Sequence, residues 1–84
     1  MTEFDNLKNT YIATMQCAMA MGRGNQWTKH GNDILHKFCE MLVDRSDYPD
    51  ADKQAMKQEL ELLKESIDAE IDACYHGYNI TYGD

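Results

Sequence analysis

The segment GRGNQWTKHGND, residues 22–33, gathers the chain's only tryptophan, two of its eight cationic side chains, three of its five glycines and one of its three histidines. Gly22, Gly24 and Gly31 let backbone amides turn into one concavity, and a helix beginning there presents its positive N-terminus to the same space. Arg23 and Lys29 add charge, and Trp27 offers a face for stacking on a base, with Tyr11 contributing from the preceding helix. This is equipment for a nucleotide or another phosphorylated ligand, although the phosphate-loop spacing GxxxxGK[ST] is absent. The same residues have two other uses. An aromatic side chain beside an arginine is a common anchor of protein interfaces, and Trp27 can simply plug the end of a helical bundle.

A second group is acidic. Glu61, Glu65, Asp68 and Asp72 recur at i, i+4, i+7 and i+11, which places them in one row on a helix. No base stands within the set, although Lys57 and Lys64 flank it. A row of one sign can engage a basic surface on a partner, or it can serve only as a solvated face that keeps the chain in solution. Glu59 and Glu70 fall inside the apolar arc of the same helix, about 16 Å apart along its axis, too far to act on one bond. Each is expected to pair with a cation, Arg45 and Lys37 being the candidates, or to lie at a subunit boundary.

Neither metal chemistry nor catalysis finds a complete set of groups. His36 and Cys39 share a helix flank, but Cys74 and His76 point to nearly opposite sides of theirs and cannot close a shell. The three histidines fall in a loop, on a helix flank and at a helix end, which assembles no Ser-His-Asp or Cys-His-Asn arrangement. No metal, no cofactor and no enzymatic activity are expected. Cys17, Cys39 and Cys74 read as small buried hydrophobes.

Three helices must position these residues. The first is expected over 3–21, capped by Thr2, with Glu3 and Asp5 at the positive end of its dipole and Gly22 ending it. Its apolar stripe is Phe4, Leu7, Tyr11, Met15 and Ala18. Its other face, with Ala13, Cys17 and Ala20, carries no charge between Asn9 and Gly22 and is therefore expected to be covered as well, by another subunit. The second helix is expected over about 28–45, capped by Thr28 or Asn32, burying Ile34, Leu35, Phe38, Met41 and Leu42 and turning His36, Lys37, Glu40 and Asp44 outward. Pro49 suits only a first helical turn, so a third helix starts near residue 50. It is expected to run to about 76 on the stripe Met56, Leu60, Leu63, Ile67, Ile71 and Cys74, where Gly77 ends it and leaves a short tail over 77–84.

The whole chain sets the limits of the reading. Eighty-four residues make a single domain, which buries only about 60–65% of its unfolded surface and gains from self-association. A net charge of −7 disfavours direct DNA or RNA binding. The charge is uneven: residues 6–32 hold three bases and no acid, whereas residues 33–84 hold thirteen acids and five bases. An odd number of cysteines without CxxC pairs points to a reducing, cytoplasmic setting, and no apolar run approaches the ~18–20 residues of a membrane span. The expected object is an all-α helical hairpin or three-helix bundle with a long C-terminal helix, self-associating as a dimer or higher homo-oligomer. Its expected role is that of a non-enzymatic binding protein that blocks or bridges a larger macromolecule. In character it is comparable to the inhibitors that phages and mobile elements direct against host defence or transcription machinery. The alternatives are an oligomer that captures a nucleotide through the 22–30 loop and a purely architectural helical oligomer.

Overall fold

Thr2 begins the first helix through a reciprocal cap. Its hydroxyl accepts from the Asp5 amide at 3.1 Å, and its own amide donates to the Asp5 carboxylate at 3.2 Å, satisfying two amide donors at the start of the first turn. The structure is a computed structural model that describes the backbone of residues 2–82 and the side chains of residues 2–74. It contains α1 (Glu3–Ala20), α2 (Asn25–Asp44) and α3 (Asp50–Tyr82), and no strand among the described residues. The chain reverses between α1 and α2 in a few residues because Gly22 (φ 65°) and Gly24 (φ 104°) both occupy the left-handed half of backbone space, where other residues are strained. Gly24 takes the N-cap position, so α2 starts three residues before Thr28. Thr28 is no cap: its hydroxyl donates back to the Gly24 carbonyl at 2.7 Å, inside the first turn.

Pro49 precedes α3, and its carbonyl accepts from the Lys53 amide at 2.9 Å, as a first-turn proline permits. The helix continues past Gly77 to Tyr82. A glycine inside a helix costs only about 1 kcal/mol and ends one only by adopting a left-handed φ. The expected tail is thus helical backbone, and the packing of its aromatic residues lies outside the described side chains. Thirty-three residues at 1.5 Å each account for the 48 Å length of a molecule only 19 by 16 Å across.

The core follows the expected stripes on α1 and α3. Phe4, Tyr11 and Met15 meet Leu60, Ile67 and Ile71, with Leu7, Met56 and Leu63 half-buried around them. On α2 the expectation holds at Leu35, which packs half-buried against the core, and at Lys37 and Asp44, which face outward, but it is reversed elsewhere. Its inward row is Asn25, Thr28, Asn32, His36, Cys39 and Val43, spaced by three and four, while Ile34, Phe38, Met41 and Leu42 stand 55%, 50%, 38% and 40% exposed. His36, expected outside, is inside. Only Cys39 of the three cysteines is buried; Cys17 and Cys74 are exposed. Within this chain Ala13, Cys17 and Ala20 are exposed too.

The physical reason lies where the three helices meet. The Tyr11 hydroxyl donates to the Asn32 side-chain oxygen, and the Asn32 amide nitrogen donates to the Asp68 carboxylate at 2.9 Å and to the Lys64 carbonyl at 3.2 Å. Lys64 Nζ reaches the second oxygen of Asp68 at 3.2 Å. Asn32 is fully buried and Tyr11 nearly so; if α2 turned to bring its apolar row inward, Asn32 would move to solvent and the Tyr11 hydroxyl would be left buried without its acceptor.

Burial, reinforced by Cys39 and the carboxylates of Asp68, Glu61 and Asp33, pushes the Tyr11 phenol well above its ordinary value of 10. An unfolded chain therefore loses this proton near pH 10 while the folded chain retains it, so stability falls as pH rises above about 10. Tyr11→Phe is expected to cost about 1–3 kcal/mol at neutral pH, because it leaves the buried Asn32 side-chain oxygen without its donor. Urea titrations repeated from pH 8 to pH 11 should also show a shallower alkaline loss in that variant. An identical pH slope in both proteins would show that Tyr11 is not held as described.

Candidate functional site

Two features of α2 arise from the same rotation of the helix: a polar seam against α3 and an apolar face turned to solvent. Along the seam, the row of carboxylates expected to face outward borders α2. Asp72 accepts from Lys29 Nζ at 2.7 Å and from the Asn25 amide at 2.9 Å. Asp68 is held by Asn32 and Lys64, and Glu61 Oε2 lies 3.2 Å from His36 Nε2. That nitrogen is buried and makes no well-aligned hydrogen bond, so the contact is a close approach off the bonding axis. Glu40 lies 3.7 Å from the other ring nitrogen. Glu65, the remaining member of the row, is exposed.

The glycine-rich segment does gather groups that attract an anion, and Asp72 is the anion beside them. Lys29, together with Asn25, holds the Asp72 carboxyl below its usual range. Most of residues 22–33 is helix, and the connection itself is Met21–Gly24. Arg23 lies 5.8 Å from the Trp27 ring centroid in a cation–π contact, and Trp27 is 63% exposed. Trp27 therefore does not plug the bundle end. Tyr11 is turned into the core toward Asn32, away from the glycine turn.

Other pairings depart from the sequence expectation. Glu59 meets Lys8 at 3.8 Å, and Lys37 meets Asp33 at 3.2 Å. Lys57 joins Asp44 at 2.6 Å, tying the end of α2 to the start of α3. No group of three His, Cys, Asp or Glu side chains among the described residues converges on a metal-sized point.

The apolar face is wide. Trp27, Ile34, Phe38, Met41 and Leu42 cover the outside of α2 over four turns, and the face continues into the seam with α1. There Thr14 and Ala18 line a groove with Gly31, Ile34, Leu35 and Phe38, and no charged side chain enters it. Further along the same seam, Phe4 and Leu7 form a second groove with Leu42 and Tyr48. The five exposed α2 side chains leave on the order of 550 Å² in the open, toward the upper end of what a monomer usually exposes in one patch. Periodicity alone found Ile34, Phe38, Met41 and Leu42 but assigned them to the core, and it placed Trp27 in a loop before the helix. The available signal was the polar row beside them, Asn25, Thr28, Asn32 and His36, which needs partners as much as the apolar row needs cover.

No protein-family model, curated protein or solved structure matches the chain.

Two outcomes test this geometry. Asp72 ionises more readily in the folded chain, so its contribution is present above about pH 4 and is lost as pH falls through the lowered folded value. Asp72→Asn should melt lower than the parent at pH 7 and lose less on acidification. Equal acid slopes in thermal melts from pH 7 to 3 would remove the Lys29–Asp72 link from the account. Trp27→Ala should change stability by no more than about 0.5 kcal/mol, as surface substitutions do. A loss of about 3–5 kcal/mol, the cost of truncating a core aromatic, would place Trp27 in the core instead.

Proposed function

We propose that this chain is a non-enzymatic binding protein that presents the outer face of α2, with the adjoining α1 seam, to an apolar surface of a larger protein and thereby blocks or bridges it. One observation carries the reading. A helix with well-separated faces keeps its polar row inside and its apolar row outside. Each of these apolar side chains is worth about 1.5–3 kcal/mol when fully covered, a gain the single chain forgoes at four or more positions. An external surface recovers it. Trp27 with Arg23 at one end and Phe38 near the middle have the composition of binding anchors.

The acidic remainder supports the same division of labour. A charge of −7 disfavours nucleic acid and keeps unspecific apolar association in check, so that recognition falls to the apolar outer side chains of α2.

Replacing Ile34 with p-benzoylphenylalanine and irradiating the cells that natively make the protein tests the reading. The expected product is an adduct with a second, different protein. Phe38→Glu in the same chain should weaken binding of that protein at least tenfold while leaving the helical circular-dichroism spectrum unchanged, since loss of a central anchor costs about 2 kcal/mol or more. Adducts of the chain only with itself, or none, would overturn the proposal.

A further inference from the structure

We infer that, when no partner is present, the α1–α2 face is covered by a second copy of this chain related by a two-fold axis, so that self-association masks the binding face. This rests on the preceding reading of that face as an association surface and specifies what occupies it at rest.

Charge selects this face for any contact between two copies. Two molecules of net charge −7 repel, and α3 brings carboxylates to any contact made through it. The α1–α2 groove is uncharged, and Trp27, Ile34, Phe38, Met41 and Leu42 on the outside of α2 are apolar, with Lys37, paired to Asp33, at their flank. It is the surface on which like-charged copies approach at least electrostatic cost.

Shape favours it as well. A self-complementary contact needs both a ridge and a groove on one surface, because residue i must meet residue j while j meets i. Ile34, Phe38 and Met41 form the ridge, and Thr14, Ala18 and Gly31 form the floor of the groove beside it. Gly31 has no role in the fold of the single chain: its φ is helical, and a Cβ built on it meets nothing within 4 Å. A glycine inside a helix is destabilising relative to alanine, and close approach from outside is the use that remains for it.

Size agrees. About 550 Å² on α2, extended by the small side chains along α1, approaches the roughly 800 Å² per partner of a stable interface. The radius of gyration of 14.2 Å exceeds the about 12 Å of a compact chain of this length, in keeping with a thin, elongated subunit that a second layer would thicken. Of the exposed, charge-free outer residues of α1, Cys17 lies one turn from the groove-lining Thr14 and would sit at the edge of the contact.

Sedimentation equilibrium over micromolar to submillimolar concentration tests the inference on the purified full chain. The parent is expected at twice its 9.7 kDa mass, with association that tightens as sodium chloride is raised, because salt screens the repulsion between two acidic chains. Phe38→Glu is expected at the single-chain mass. Gly31→Leu places a side chain in open space, so it should retain the parent's helicity and raise the dimer dissociation constant at least tenfold. A parent that stays monomeric throughout overturns the inference, as does a dimer that both variants leave unchanged. Either result leaves the heterologous adduct at Ile34 standing or falling on its own, so failure of the dimer and failure of the binding reading are separable. If both hold, adding the captured partner should lower the dimer fraction, and a partner that binds while the dimer persists would show that the second copy sits elsewhere.

Discussion

The rotation of α2 depends on one buried side chain. Asn32 has no exposure, and its amide has a unique orientation: the oxygen accepts from Tyr11 on α1 while the nitrogen donates to Asp68 and to the Lys64 carbonyl on α3. Exchanging the two ends would set the amide oxygen against a carboxylate. Three helices therefore share one node whose hydrogen bonds fit only one relative placement. A node of this type contributes little net energy, since each bond replaces bonds to water, but breaking it leaves buried groups unpaired. It acts as a register device more than as a source of stability.

Once that node is made, the positions of the other groups follow. A helix that turns Asn32 inward turns Asn25, Thr28, His36, Cys39 and Val43 inward with it, because they share its side of the cylinder. Lys29 then lies beside Asp72, and His36 beside Glu61. The same rotation sends Ile34, Phe38 and Met41 to solvent. The polar seam and the apolar face are therefore two consequences of one constraint, and any change that buried the apolar face within the chain would have to dismantle the seam.

The glycine-rich segment illustrates how a sequence signal can be chemically sound while the structure supplies it with a different object. Short-range geometry does place Lys29 and Asn25 around an acceptor of negative charge. Their acceptor is Asp72 on α3, forty-three residues beyond Lys29, and the spacing of the segment itself holds no trace of it. Arg23 and Trp27 remain at the surface, where they extend the apolar face with an aromatic and a cation.

Three helices, the Thr2 cap, the glycine reversal after α1 and the proline start of α3 were legible in the sequence, because each is set by residues within a few positions of one another. So were the inward stripes of α1 and α3, where the apolar residues have no polar rival. The helix ends were less legible: Gly24 caps α2 without a side chain, and Gly77 continues α3, choices that depend on a backbone φ and not on residue type. The facing of α2 was legible only at Leu35, Lys37 and Asp44. Periodicity marks two rows on that helix with equal clarity, one apolar and one polar, and burial of the apolar row is the default for a helix considered alone. Only the tertiary arrangement, which sets Tyr11 and Asp68 on opposite sides of Asn32, satisfies the polar row inside, and by doing so it leaves most of the apolar row exposed on the outside of α2.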